Sequence, residues 1–183
     1  MSMDNEIVAK RYALALFELM KESGSIAQAE KEVELVYELF SDEKLRKFLA
    51  YPTITVEQKK TLISEHLKDK VSKHVLNTVL FMLDRKRGDC IADMAKQFIK
   101  LAMEEQQEAE AVVYSVTPLS EEHKQTVSTL IAKKVGKRNL RMKNEIQPDL
   151  IGGLKIRVGN QIFDGSIKGR LEKLKRKLTE VEA

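Results

Sequence analysis

The sequence predicts a mainly α protein with a small α/β part: an N-terminal six-helix bundle, then a C-terminal domain of a small β-sheet flanked by helices. Three observations predict it. Up to about residue 107, apolar residues recur at helical spacing through long stretches with almost no internal Gly or Pro. From residue 108 the period falls to two and β-branched residues gather in short runs. Hydrophobic residues make up 43% of the chain and charged residues 33%, which excludes a disordered composition and leaves a well-solvated surface. A length of 183 residues suits one ordinary domain or two small ones. The change of period places the division between residues 1–107 and 108–183.

The helices follow from their punctuation. Asp4 is placed to cap a first helix running to about Ser23, and Gly24 can supply the left-handed residue that ends it. Ser25-Ile26-Ala27-Gln28 has the form of a capping box and opens a second helix to about Phe40. A short third helix follows Ser41-Asp42 and stops near Ala50, because Pro52 biases Tyr51 away from helical geometry. Thr55-Val56-Glu57-Gln58 repeats the capping-box form and starts a fourth helix to about Leu67. Val71 to Arg87 form a fifth, ended by Gly88, and Asp89 caps a sixth through about Gln107. Six helices on short loops make a bundle.

In the second part, Ala109 to Val116 reads as a strand closed by Pro118. Ser120 caps a helix with Val127, Leu130, Ile131 and Val135 on one face, ended by Gly136. Leu140, Met142 and Ile146 alternate with charged residues as a half-buried strand. Leu154 to Val158 alternates more strictly, Gly159-Asn160 is a two-residue hairpin turn, and Gln161-Ile162-Phe163 pairs back. The last helix begins after Asp164, with Ile167, Leu171, Leu174 and Leu178 as its apolar stripe. About 75 residues is small but within the range for independent folding.

Two helices carry more apolar surface than a bundle requires. Tyr12-Ala13-Leu14-Ala15-Leu16-Phe17 wraps the whole circumference of helix one, and Val79-Leu80-Phe81-Met82-Leu83 does the same in helix five. One such helix is explained by burial on all sides. A bundle of this size has room for one central helix, so two imply that at least one shows a face to a partner. Ala13 and Ala15 favour a shallow groove able to receive another helix. The partner is not named by this pattern.

Catalytic chemistry is not visible, and the chain is expected not to be an enzyme and to need no cofactor or metal. His66, His74 and His123 lie in separate helices without metal-ligand spacing. Cys90 follows an aspartate, which raises a thiol pKa, and reads as a buried helix residue. Gly152-Gly153 precedes a strand and no Gly-Lys-Ser/Thr follows, so it is no phosphate loop. No apolar run reaches the roughly 20 residues of a membrane span, and the first six residues lack the pattern of a signal peptide. A single cysteine suits a reducing cytoplasm. Residues 1–107 hold 17 Lys/Arg and 18 Asp/Glu, whereas residues 108–183 hold 15 and 10, so an acidic partner should prefer the second part. Nucleic-acid binding through Lys133 to Arg138 or Lys168 to Lys177 is the competing reading. Against it stand an aromatic content of 5% and no exposed aromatic pair on a strand to stack bases.

Two segments carry a family resemblance. Near the start is Ala9-Lys10-Arg11-Tyr12-Ala13-Leu14-Ala15-Leu16-Phe17, and near the end Leu150 through Gly152-Gly153, Asp164-Gly165-Ser166 and Gly169-Arg170-Leu171. Together they resemble the delta-subunit family of F-type ATP synthases, counterparts of the mitochondrial oligomycin-sensitivity-conferring protein, with matching element order from Ala9 to Leu178. The resemblance implies a non-catalytic adaptor of the peripheral stalk, peripheral to the cytoplasmic side of a bacterial plasma membrane and present once in a hetero-oligomer that makes ATP and moves protons. Its bundle would bind the N-terminal helices of alpha subunits in a groove between helices one and five. The C-terminal domain would bind the b-subunit stalk, and the adaptor would resist rotational torque. Carried over by position, the alpha-binding face comprises Arg11, Tyr12, Ala15, Leu19, Val79, Phe81 and Met82. Which of these face outward stays open. Lys168, Arg170 and Lys175 are candidates for touching the stalk, while Gly152, Gly153, Asp164, Gly165, Ser166 and Gly169 read as mainly structural, with Asp164 capping the last helix.

Overall fold

The computed structural model describes residues 3–51 and 53–181. Its described residues are mostly helical, with eight α-helices and a four-stranded mixed sheet. The chain divides into two compact units, Met1–Met103 and Glu104–Ala183, with the division inside the last turn of α6. The helices of the first part are α1 (Met3–Glu22), α2 (Ile26–Ser41), α3 (Glu43–Ala50), α4 (Val56–Leu67), α5 (Lys73–Asp84) and α6 (Ile91–Glu105). The second unit holds β1 (Glu108–Ser115), α7 (Glu121–Val135), β2 (Asn139–Ile146), β3 (Leu154–Val158), β4 (Gln161–Asp164) and α8 (Ile167–Val181).

The first unit closes around one apolar cluster. Ala9, Ala13, Leu16 and Met20 recur at 4-3-4 spacing on α1 and meet Val33 and Val36 of α2, Ile63 of α4, Val75, Val79 and Met82 of α5, and Met94 and Phe98 of α6. The all-round apolar segment of α1 is therefore divided. Ala13, Leu16 and Phe17 enter the core, while Leu14 and Ala15 are exposed and Tyr12 is half-buried.

Side-chain capping decides several boundaries. Asp42 Oδ1 accepts from the amides of Lys44 and Leu45 at the start of α3, and Thr55 with Gln58 forms a complete capping box on α4. Gly24 is left-handed after α1, with φ +66°. Tyr51 is extended after α3; Pro52, invoked to explain this, lies outside the described residues. Other boundaries differ from the sequence expectation. Asp4 falls inside α1, which begins at Met3. Ser25 makes no side-chain cap, because its hydroxyl donates to Ser23 O and Gln28 turns instead to Glu32. Helix α5 ends at Asp84, three residues early, because Lys86 and not Gly88 takes the left-handed conformation, with φ +57°. Asp89 sits in a 3-10 turn ahead of α6 and accepts from Asn5 Nδ2 at 2.9 Å instead of capping.

One tie joins distant parts of the first unit. Ser72, the residue ahead of α5, makes no side-chain cap, and its amide donates to Glu32 Oε2 of α2 at 2.8 Å. Glu32 is buried, and its other oxygen accepts from Gln28 Nε2 at 2.9 Å. A carboxylate forty positions away thus satisfies an orphan donor at the positive end of α5.

In the second unit the strand order is β2-β1-β3-β4. β1 and β2 pair in parallel across the α7 crossover, and β1–β3 and β3–β4 are antiparallel. Ala111, Val113, Ile156 and Val158 on one face of the sheet form a core with Ile131 and Ala132 of α7. Leu130 is not on that face: Ser128 and Ala132 take the sheet-facing places, and Leu130 is exposed. Ile146 also lies outside this core, at the exposed end of β2. Ser120 caps α7 and Gly136 ends it with φ +68°.

The start of α8 is tied to the loop before β3. Ile167 N donates to Gly152 O at 3.0 Å, and Gly165 N donates to Leu154 O at 2.9 Å. Gly153 has φ +77°, and a Cβ there would lie 2.5 Å from Gly165 O. A Cβ on Gly169 would lie 2.8 Å from the Asp164 carboxylate. The α8 cap is Ser166, whose Oγ accepts from Gly169 N at 3.0 Å. Asp164 stands one step further out and accepts from the Ser166 amide (2.9 Å) and hydroxyl (2.7 Å). It holds the capping residue instead of capping the helix itself. Those two donors keep its carboxyl below the usual aspartate range.

Candidate partner-binding site

Along α1 the residues Val8, Tyr12, Ala15 and Leu19 recur at 4-3-4 spacing, which aligns them on one face of a helix. Tyr12 meets Phe81 of α5 with ring centroids 6.1 Å apart and planes at 60°. The Arg85 guanidinium lies 5.1 Å from the Phe81 centroid, within cation–π range. These residues border a hollow of about 490 Å³ lined by Val8, Arg11, Tyr12, Phe81, Arg85 and Arg87. Its lining thus combines two aromatic residues with three arginines.

Of the seven positions expected on this face, Arg11, Tyr12 and Phe81 meet at the hollow. Ala15 and Leu19 lie further along the same α1 stripe, and Leu19 is 49% exposed. Val79 and Met82 do not belong to the surface. Both are 0% exposed and sit in the core, because Phe81 faces out and residues about 100° or 200° around the helix from it face in. Val8, Arg85 and Arg87 were not expected. Periodicity could have found two of them, since Val8 precedes Tyr12 by four and Arg85 follows Phe81 by four.

In the second unit Lys168, Arg170 and Lys175 are exposed on α8. Ile167, Leu171, Leu174 and Leu178 are also exposed, from 46% to 70%. The signature glycines, with Asp164 and Ser166, lie where α8 joins the sheet.

Elsewhere, Cys90 is buried and its thiol is pushed up to about 11, first by desolvation and then by the charge of Asp89. It is inert as a nucleophile near neutral pH. His66 Nδ1 is taken up by Leu62 O at 2.9 Å. Among the described residues no group of three or more His, Cys, Asp or Glu is arranged to hold a metal ion, and no helix is long and apolar enough to cross a membrane.

Comparison with known proteins supplies the family. Residues 8–178 match the family described as ATP synthase delta (OSCP) subunit. The chain is 45% identical over 177 residues to the ATP synthase subunit delta of Geobacillus sp. (strain WCH70), covering 96% of this chain and 99% of that one. It is 42% identical over 177 residues to that of Bacillus velezensis, covering 96% and 97%. In fold it is similar to a chain of the cryo-EM structure of the Toxoplasma gondii mitochondrial ATP synthase hexamer, with a TM-score of 0.67 over 98% of both chains at 18% identity. With near-complete coverage at this identity, the chain belongs to the ATP synthase delta (OSCP) subunit family, structural and non-catalytic components of the peripheral stalk.

Proposed function

We propose that the chain is the adaptor that ties the catalytic head of a bacterial F-type ATP synthase to its peripheral stalk. On this reading the first part, residues 1–107, acts as a six-helix bundle that binds the N-terminal helix of an alpha subunit. Residues 108–183 bind the b-subunit stalk through a surface including Lys168, Arg170 and Lys175. One copy serves a complex on the cytoplasmic side of the membrane, and its two contacts resist the torque that rotation places on the head during proton-driven ATP synthesis. Neither nucleic acid nor membrane insertion has a part in this function.

The observation that carries the reading is the hollow lined by the touching rings of Tyr12 of α1 and Phe81 of α5 together with Arg11, Arg85 and Arg87. Phe81 is 47% exposed, so covering the part still in water is worth about half of the roughly 1.5–3 kcal/mol that complete burial of such a side chain gives. An exposed ion pair contributes roughly 0.2–1 kcal/mol. Apolar contact along Val8, Tyr12, Ala15, Leu19 and Phe81 therefore supplies most of the affinity. The arginines favour an amphipathic helix with acidic residues along its edge and speed its association.

The test is a titration of the chain with an alpha N-terminal peptide and with nucleic acid, each at physiological salt. Saturable peptide binding that Ala15→Glu weakens at least about tenfold, a loss of some 1.4 kcal/mol, supports the adaptor. Tight nucleic-acid binding without peptide binding would overturn it.

A further inference from the structure

The apolar residues of α8, Ile167, Leu171, Leu174 and Leu178, follow 4-3-4 spacing. That is the a/d seam of a heptad repeat rather than the broader stripe of a helix packed on its own core. All four are exposed, the least so being Ile167 at 46% and the most Leu178 at 70%. With Leu171 and Leu178 at a, and Ile167 and Leu174 at d, the positions beside the seam include Lys168 and Lys175 at e and Arg170 at g. All three are exposed and basic. Glu172, the one acidic residue between Ile167 and Arg176, falls at b, away from the seam.

Flank charge selects the partner of such a seam. A second copy in either direction would set Lys and Arg against Lys and Arg. A helix with Glu or Asp at its own e and g positions would meet complementary charge along the whole seam. The two heptads of α8 are short for a coiled coil, so the seam needs a fixed base. The Gly152–Ile167 and Asp164–Ser166 ties supply the base. Close to the start of the seam stands Ile151, 66% exposed and one residue before the Gly152 against which Ile167 packs. Ile151 also has φ +64°, strained for a β-branched residue.

We infer that the α8 seam, with Ile151 close to its start, pairs heptad against heptad with a single helix whose flanking positions are acidic, and does not pair with a second copy of this chain. This deepens the stalk-binding reading of residues 108–183 and rests on it. It assigns a mode of recognition and a charge pattern to that contact.

The probe is a synthetic helical peptide of about three heptads with Ile at a, Leu at d and Glu at e and g, beside the same peptide with Lys at e and g. Both are labelled for anisotropy and titrated with the full chain. The Glu peptide is expected to bind and the Lys peptide not. Leu174→Asp should weaken the Glu peptide by at least about tenfold with the melting temperature unchanged, since Leu174 is exposed. Combined Lys168→Glu, Arg170→Glu and Lys175→Glu should transfer binding to the Lys peptide. Equal affinity for both peptides overturns the inference. So does dimerisation of the chain abolished by Leu174→Asp, or binding to phosphatidylserine vesicles in preference to the Glu peptide. Capture of a b-subunit stalk fragment separates the two readings. If the wild type and the charge-reversed chain capture it equally, the seam is wrong and the adaptor stands. If neither captures it while the peptides still discriminate, the adaptor reading fails and the seam stands.

Discussion

Gly153 and Asp164 show how single positions fix the junction between sheet and α8. Alanine at 153 would combine an unfavourable φ with a Cβ 2.5 Å from a backbone oxygen. We expect Gly153→Ala to cost more than about 2 kcal/mol, read as a lower urea midpoint. Gly24→Ala meets no neighbour within 4 Å and should cost only its left-handed strain, about 1 kcal/mol. Asp164 gives a pH prediction with a definite sign. Its folded-state pKa is lowered, chiefly by the two bonds from Ser166. The stability it contributes is therefore present above the ordinary aspartate range and is lost as pH falls through the lowered value. Thermal melts between pH 5 and pH 2 should show a decline that Asp164→Asn flattens.

Among the elements, α5 depends on a residue it does not contain. Because Ser72 offers no side-chain cap and Glu32 takes its place, Glu32→Ala should cost about 1–3 kcal/mol by leaving a donor unsatisfied. Hydrogen exchange should then quicken first at Lys73 to Leu76. Thr55→Ala removes an exposed capping box and should cost about 1 kcal/mol. The reach of Glu32 could not be seen from local pattern, since a cap normally lies within four residues of what it caps. Ser25-Gln28 illustrates the converse. Its spacing matches Thr55-Gln58, but Gln28 is engaged by Glu32 and Ser25 by Ser23, so equal motifs gave one box and one plain start.

At the scale of the whole molecule, the two candidate surfaces lie in different compact units. Ala15→Glu should weaken the alpha peptide and spare the stalk fragment, and Leu174→Asp should do the reverse. Effects at sites without shared partners add to within about 0.5 kcal/mol, so the double variant should show the sum of both losses in paired titrations. Tyr12→Asp is a less clean probe. Tyr12 packs partly on the core and against Phe81, so binding and melting temperature should fall together.

The sequence by itself determined the helical and strand content and the caps that rest on near neighbours alone, at Asp42, Thr55, Ser120, Gly24 and Gly136. Each of these rests on spacing within a few residues, where the periods of helix and strand act directly. Tertiary structure decided which side of an all-apolar helix faces the core. It buried Val79 and Met82 while leaving Phe81 beside Tyr12 and three arginines. It also set β1 between β2 and β3, and it made Ser166, with Asp164 behind it, the cap of α8. The physical reason is the same in each case. A helix that is apolar all round, a strand with two free edges and a pair of polar residues two positions apart each permit several arrangements locally. Only packing against distant residues removes the alternatives.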